Sequence, residues 1–331
     1  MTVLGIETSC DETAGSVCRD GTILSSVISS QDIHAHYGGI VPEIASREHE
    51  KRLTSVVEEA MQLASLVKGD LDAVAVTRGP GLMGSLLTGV SFARGFAQGL
   101  GIPCLGINHI EAHIFANFIA YPELKYPFLC LLASGGHTQI WRVSDLGDYE
   151  LLGETRDDAA GEAFDKGARI LGLGFPGGPA LEEASRGGNE EEVAFPRAFL
   201  QSQAIEYSFS GLKTSLINYV KGRGGKMTEK QLAHVAASYQ KAIVDVLLFK
   251  LRQAVDLTGV KTTVIAGGVA ANNRLRREAE RVFADCTAYY PPRSLCTDNA
   301  AMVAFLGEKY FLQGARVKTD LSVVPNLSLT H

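Results

Sequence analysis

The sequence predicts an α/β fold made of two similar lobes, each a central mixed sheet flanked by helices. Three observations predict it. Apolar strands alternate with stretches of helical spacing along most of the chain. The opening string VLGIETSCDET has a counterpart in FLCLLASGGHT: an apolar strand, a serine opening a tight turn and a threonine closing it. Ser9 and Thr13 thereby match Ser134 and Thr138. Finally, 331 residues are too many for one ordinary core. Two meanders in the same role, each followed by helical material, point to an internal duplication.

The elements follow in order. Thr2–Ile6 reads as a buried strand, and Ala14–Cys18 with Thr22–Ile28 completes a meander around the polar turn Glu7–Thr13. Leu53, Val56, Val57, Ala60, Leu63 and Ala64 share one face of a helix over Ala45–Val67. The strand Leu71–Val76 enters the glycine-rich turn Arg78–Gly84, followed by a helix over Ser85–Gln98 and a strand over Pro103–Ile107. Asn108 then opens a helix carrying His109 and His113. Two prolines near Tyr121–Pro127 stop it, and the second meander runs through Phe128–Leu132, Gln139–Val143 and Tyr149–Gly153. The middle, Glu154–Gly188, mixes acids and glycine. Met227–Leu257 is a long helix, Thr262–Ala266 a strand, and Asn273–Val282 and Asn299–Leu312 are helices.

Hydrophobic residues make up 46% and charged residues 21%, the balance of a water-soluble globular protein. A formal charge of −6 argues against coating nucleic acid by bulk electrostatics, while leaving local basic patches open. Lys213, Lys221, Arg223, Lys226 and Lys230 form one such cluster, and Arg274, Arg276 and Arg277 another; both also read as solvated helix and loop residues. The six cysteines contain no CxxC pair, so neither a zinc ribbon nor a disulfide framework is supported. The N-terminus lacks the basic region of a signal peptide, and no apolar run reaches the roughly 18–20 residues a membrane span needs. The expected setting is the reducing cytoplasm, without a membrane partner.

Chemistry concentrates in a few strings. In HIEAH, His109 and His113 are four apart, so on a helix both imidazoles face one way and are able to grip one ion. They read equally as two polar residues that happen to be so spaced. Glu111 lies roughly 200° around the helix from His109, which removes the glutamate of a zinc protease from the metal side. Asp298, in CTDN before the last helix, is either a third ligand or a helix cap. His34, His36 and His49 read as loop and surface residues. The glycine loops Ser134–Thr138 and Ala266–Asn272 each follow a strand, where backbone N–H groups bind phosphate, or where glycine serves packing alone. Neither loop is a P-loop or a full GxGxxG fingerprint. Asp157, Asp158, Glu162 and Asp165 are suited to magnesium, to ribose hydroxyls, or to a solvated helix start; Asp165 is the one chosen as functional.

Taken together these strings resemble the TsaD family, the tRNA N6-adenosine threonylcarbamoyltransferases of the actin/sugar-kinase/Hsp70 superfamily. The likeness runs through GIETSCDET, YGGIVPEIASREH, RGPGLMGSL, NHIEAH, ASGGHT, DDAAGEAFDK, FPGGP, FSGLKT, AGGVAAN and CTDNAAM. It implies a duplicated actin-like fold, with one lobe over residues 1–126 completed by 298–331 and a second over 127–297. It implies a divalent metal, iron or else zinc, on His109, His113 and Asp298. It further implies that Leu132, Ala133, Ser134, Gly135, Gly136, Asp165, Gly178, Glu182 and Asn272 bind threonylcarbamoyl-AMP or an adenine nucleotide, with magnesium an optional companion. The reaction implied is transfer of the threonylcarbamoyl group to N6 of adenosine 37 in tRNAs reading codons that start with A. Asp11 and Glu12 in the first turn are the candidate catalytic acids. The implied partners are tRNA, an inactive paralogue forming a heterodimer, a small P-loop ATPase and a separate synthase supplying the adenylate. Three rival readings are a small-molecule kinase of the same superfamily, a non-catalytic nucleotide-binding partner and a metalloprotease. The first needs no HxxxH with a distant aspartate, the second predicts loss of the metal residues, and the third fails on Glu111.

Overall fold

In this computed structural model, residues 1–224, 227–314 and 321–329 are described. The chain divides into two units, Met1–Leu124 with Pro291–His331, and Lys125–Tyr290. Pro291–Thr297, expected in the second lobe, falls with the first unit. There the Cys296 thiol bonds to the carbonyls of Pro291 and Pro292, tying this stretch into one local turn.

The first unit is a five-stranded sheet in the order β3-β2-β1-β4-β5. Three apolar runs, β1 (Thr2–Glu7), β2 (Glu12–Arg19) and β3 (Thr22–Ser30), form the antiparallel meander. β4 (Ala73–Gly79) and β5 (Cys104–Asn108) extend it in parallel. Because side chains alternate along a strand, β1 serves two layers. Leu4 and Ile6 join a core with Leu53, Val57 and Met61 of α1 (Pro42–Leu63) and Val90 and Ala93 of α2 (Met83–Leu100). Gly5 faces the other layer. A Cβ there would lie 2.5 Å from the Ala300 carbonyl of α9 (Ala300–Leu312), so glycine lets that helix lie on the sheet. α9 also packs on α3 (His109–Ala120). The C-terminal helix thus belongs to the first sheet's core.

The second unit repeats the plan. Its sheet runs β11-β10-β6-β7-β8-β9. β6 (Phe128–Ala133), β7 (Thr138–Asp145) and β8 (Asp148–Thr155) are the antiparallel meander. β10 (Thr262–Ala266) and β11 (Thr287–Tyr289) are the parallel extension, and the two-residue β9 (Glu206–Tyr207) is an added edge. Three antiparallel strands followed by two parallel ones recur in both sheets, which are therefore mixed. Around this sheet lie α4 (Ala160–Ile170), α5 (Gly177–Ala184), α6 (Ser210–Gly222), α7 (Glu229–Thr258) and α8 (Asn273–Val282). The helices α4 and α5 occupy the stretch Glu154–Gly188, which mixes acids and glycine. Among the described residues α7 is long and apolar enough to cross a membrane by length and composition, and 67% of that window is buried in the protein. Tyr239, Leu247 and Leu251 of α7 are core residues.

Candidate metal centre and nucleotide loops

Asn108 ends β5 and caps α3, its side-chain oxygen accepting from the N–H groups of Ile110 and Glu111 at 2.9 and 3.3 Å. That cap fixes His109 as the first helical residue, and His113 follows one turn on. Across from them, Asn299 caps α9 by accepting from Met302 N at 3.0 Å. The cap of α9 is thus Asn299, and Asp298 stands one residue before it. Its Oδ1 lies 3.0 Å from His113 Nε2 and 3.5 Å from His109 Nε2. The two rings meet edge to face, 4.6 Å apart. One donor atom from each of the three residues falls within 4.8 Å of the others.

The donor set fits a cation. His109 Nδ1 lies 3.2 Å from Glu7 Oε2, and an ionised carboxylate only accepts, so Nδ1 carries the hydrogen and Nε2 offers its lone pair. His113 Nδ1 is buried with no partner. Two imidazoles and a carboxylate suit iron or zinc. Without a cation, burial works against charge on His109, yet Asp298 and Glu7 outweigh it and lift its pKa to about 9. Glu111, as the spacing predicts, turns away and accepts a hydrogen bond from the Tyr310 hydroxyl of α9.

Asp11 ends the turn after β1 and Glu12 begins β2, both half-buried. Burial first and the charge of Asp298 second raise Asp11 above the ordinary carboxylate range. Burial and then the charge of Asp11 push Glu12 up to about 7, and its Oε2 is buried without a partner. The nearby histidines correct the surface expectation. His36 is exposed, but His34 and His49 are fully buried. His49 Nε2 donates to the Cys10 carbonyl at 2.9 Å, leaving Nδ1 to accept from the Thr13 hydroxyl at 2.8 Å. It closes the turn that holds Asp11 and leads into Glu12. His49 lies on the apolar face of α1 with Leu53 and Val56, a signal the periodicity did carry.

In the second unit Leu132–Gly136 lie at the C-terminal end of β6 and Asn272 follows β10, neighbouring parallel strands in which Leu132 pairs with Ala266, while Asp165 lies on α4 and Gly178 and Glu182 on α5. Leu132 and Ala133 are buried strand residues. Ser134 closes its own turn, with Ser134 N donating to the His137 carbonyl and His137 N to the Ser134 hydroxyl. The Ser134 carbonyl accepts from Gly161 N of α4. The N–H groups of Gly135 and Gly136 meet no acceptor among the described residues, and a Cβ on either glycine, or on Gly178, would meet nothing within 4 Å. Gly267 differs: its φ is +86° and a Cβ would lie 2.5 Å from the Ala133 carbonyl. Asp165 Oδ1 accepts from Gly177 N at 2.8 Å, so this carboxylate and the start of α5 are joined. Asn272 caps α8 and donates to Gln240 at 2.7 Å. Glu182 accepts from Asn273 N at 3.2 Å. Beside it opens a polar hollow of about 330 Å³ lined by Glu182, Gln240, Asn273, Arg274 and Arg277. Gln240 escaped the sequence reading, since nothing marks a polar residue on a long helix as lining a hollow, and Arg274 was read there only as part of a basic cluster.

Other candidates have structural work. Asp157 accepts from the Ser208 and Ser210 hydroxyls and Phe209 N, and Asp158 pairs with Lys166 and Lys213, so both staple α6 to the start of α4. Glu162 pairs with Lys166. In the basic clusters Arg274 pairs with Glu190, while Arg276 stacks on Tyr290 and donates to the Ala270 carbonyl. Lys221, Arg223 and Lys230 are exposed, with Arg223 stacked on Tyr219. Lys226 lies outside the described residues.

A mixed-sheet plan repeated in two units, with a His-His-Asp group in one and glycine loops in the other, defines the class: an α/β protein with a duplicated fold. Comparison with known proteins gives the family. Residues 22–305 match the profile described as TsaD, tRNA N6-adenosine threonylcarbamoyltransferase. The chain is 48% identical over 332 aligned residues to the tRNA N6-adenosine threonylcarbamoyltransferase of Thermosipho africanus, covering 99% of this chain and 100% of the relative. It is 47% identical to the one from Clostridioides difficile, covering 99% and 98%. Among solved structures it resembles HypF of T. kodakarensis, with a TM-score of 0.63 at 17% identity, over 95% of this chain and 48% of that one. The chain belongs to the TsaD family and is a transferase.

Proposed function

We propose that the chain transfers the threonylcarbamoyl group of threonylcarbamoyl-AMP to N6 of adenosine 37 in tRNAs reading codons that start with A, forming t6A. The observation carrying this reading is the convergence of His109, His113 and Asp298 in a member of this family. These three residues would hold one divalent metal, iron or zinc, which when bound supplies Lewis-acid polarisation of the threonylcarbamoyl carbonyl. In the reaction N6 bonds to the carbamoyl carbon, the bond from that carbon to the phosphate oxygen breaks, and AMP departs with the electron pair. Asp11 or Glu12 takes the proton released from N6. Glu12 suits the task, since a pKa of about 7 lets a carboxylate accept a proton and pass it on near neutral pH.

In the second unit the N–H groups of Gly135 and Gly136 would bind the phosphate. Asp165 and Glu182 would accept from the ribose hydroxyls, and the open space at Gly178 leaves room for the nucleotide. Asn272 would contribute mainly by fixing the loop, because its amide is already engaged. Magnesium on the phosphate is an optional companion. Exposed Lys221, Arg223 and Lys230 are the described basic residues available to a tRNA backbone. The remaining partners in this reading are an inactive paralogue as heterodimer, a small P-loop ATPase and a synthase making the adenylate, all cytoplasmic.

The test supplies adenylate and tRNA directly to the chain with its partner subunits and measures t6A by nucleoside analysis. His109→Ala with His113→Ala is expected to abolish transfer and to remove bound metal. Full transfer by the metal-free double variant would sink the reading.

A further inference from the structure

Glu7 is a charged residue in an unusual place. It ends β1 with 0% of its surface exposed, and among the described residues no lysine or arginine pairs with it. A buried carboxylate without compensation costs several kcal/mol. Each oxygen is nonetheless fixed: Oε1 accepts from Ser9 N at 2.5 Å, and Oε2 accepts from the Thr77 hydroxyl at 2.5 Å. Oε2 also lies 3.2 Å from His109 Nδ1, on the side of the ring opposite the nitrogen facing Asp298. The Ser9 hydroxyl lies 3.2 Å from the same Nδ1. Glu7, Thr77 and His109 come from the C-terminal ends of β1, β4 and β5, three adjacent parallel strands, so the sheet itself sets their spacing.

We infer that Glu7 is the positioning residue of the metal centre: held by Thr77 and Ser9, it orients the His109 ring and fixes its tautomer so that Nε2 faces the ion. Charge supports the same assignment. A divalent ion with Asp298 as its sole charged ligand leaves one positive charge in a buried pocket, and Glu7 cancels it. The inference rests on the metal reading of His109, His113 and Asp298, and deepens it by naming the group that prepares one ligand.

The test is Co2+ binding to the purified full-length chain, followed by competition titration and by the visible ligand-field spectrum. Glu7→Gln keeps the shape and an acceptor oxygen but removes the charge. It is expected to weaken Co2+ binding about 10–100-fold and to alter the spectrum, while the metal-free protein keeps the wild-type fold by circular dichroism. Wild-type affinity and spectrum in Glu7→Gln overturn the inference. Should that variant not fold, Thr77→Val frees Glu7 Oε2 from its anchor and is expected to shift the spectrum and weaken binding severalfold; an unchanged spectrum and affinity there overturn it as well. His113→Ala separates the two levels. If it too binds Co2+ as wild type does, the metal reading itself has failed; if it loses Co2+ while Glu7→Gln does not, only the role of Glu7 has.

Discussion

The His-His-Asp group of the first unit and the glycine loops of the second are built in opposite ways. In the first, side chains define the site: three donor atoms converge, one imidazole nitrogen is buried without a partner, and a fully buried glutamate stands behind another. In the second, most candidate side chains are already occupied. Ser134 closes its turn, Asp165 holds Gly177, Glu182 holds Asn273 and Asn272 caps a helix. What that unit leaves open is backbone: the N–H groups of Gly135 and Gly136, and empty space where side chains would be. A site made of side chains is broken by removing atoms, and a site made of backbone is broken by adding them.

The largest effect should follow removal. Asp298→Ala takes one of three donors but leaves the Asn299 cap of α9 intact, so the helix that carries it should persist. Lewis-acid stabilisation is worth several kcal/mol of barrier, so t6A formation should fall by about 100-fold or more, with bound metal lost in parallel. Metal content measured by mass spectrometry alongside a thermal melt checks both halves. Retained metal with retained transfer would remove Asp298 from the centre.

The matching experiment in the second unit adds atoms. At Gly178 a new Cβ meets nothing within 4 Å, so Gly178→Val should leave stability within about 0.5 kcal/mol while weakening adenine-nucleotide binding tenfold or more. At Gly267 the same change meets the Ala133 carbonyl at 2.5 Å, and a φ of +86° disfavours any side chain. Gly267→Val should therefore destabilise by about 1–3 kcal/mol or more. Calorimetric titration with AMP and thermal melts of both variants separate a glycine kept for a ligand from one kept for the fold. Equal nucleotide affinity in Gly178→Val would place the nucleotide elsewhere.

How much of this was legible in the sequence divides along the same line. Strands and helices with strong periods were read close to their limits, and α8 to the residue, because capping asparagines and glycine turns punctuate them. The i, i+4 spacing of His109 and His113 was a local fact, but Asp298 lies 185 positions beyond His113, and only α9 lying back on the first sheet brings it there. The glycine loops were visible as glycine; whether each glycine serves ligand or packing was not, since that depends on what the neighbouring strand presents. His34 and His49 were misjudged because a buried, fully bonded histidine looks the same in sequence as an exposed one. Glu7 carried a partial signal, a charge closing an apolar strand, whose partners Thr77 and His109 sit on strands far along the chain.

Glu12 gives the smallest expected effect and tests whether the first unit sacrifices stability for chemistry. Its pKa, 4.5 for an ordinary glutamate, is pushed up to about 7 in the fold. A carboxyl that binds its proton more tightly when folded contributes stability that is complete below about pH 4.5 and is lost as pH rises through about 7. At pH 8 the half-buried carboxylate is a net cost, which Glu12→Gln removes. The variant should unfold with a free energy higher than wild type by about 1–3 kcal/mol at pH 8, discounted for its partial solvent contact, and equal to it at pH 4. Transfer activity should fall in the same variant if Glu12 takes the N6 proton. Denaturant melts at the two pH values decide it: a difference of the same size at pH 4 and pH 8 would mean that the strain on this turn is not electrostatic, and that the acid was never raised by its surroundings.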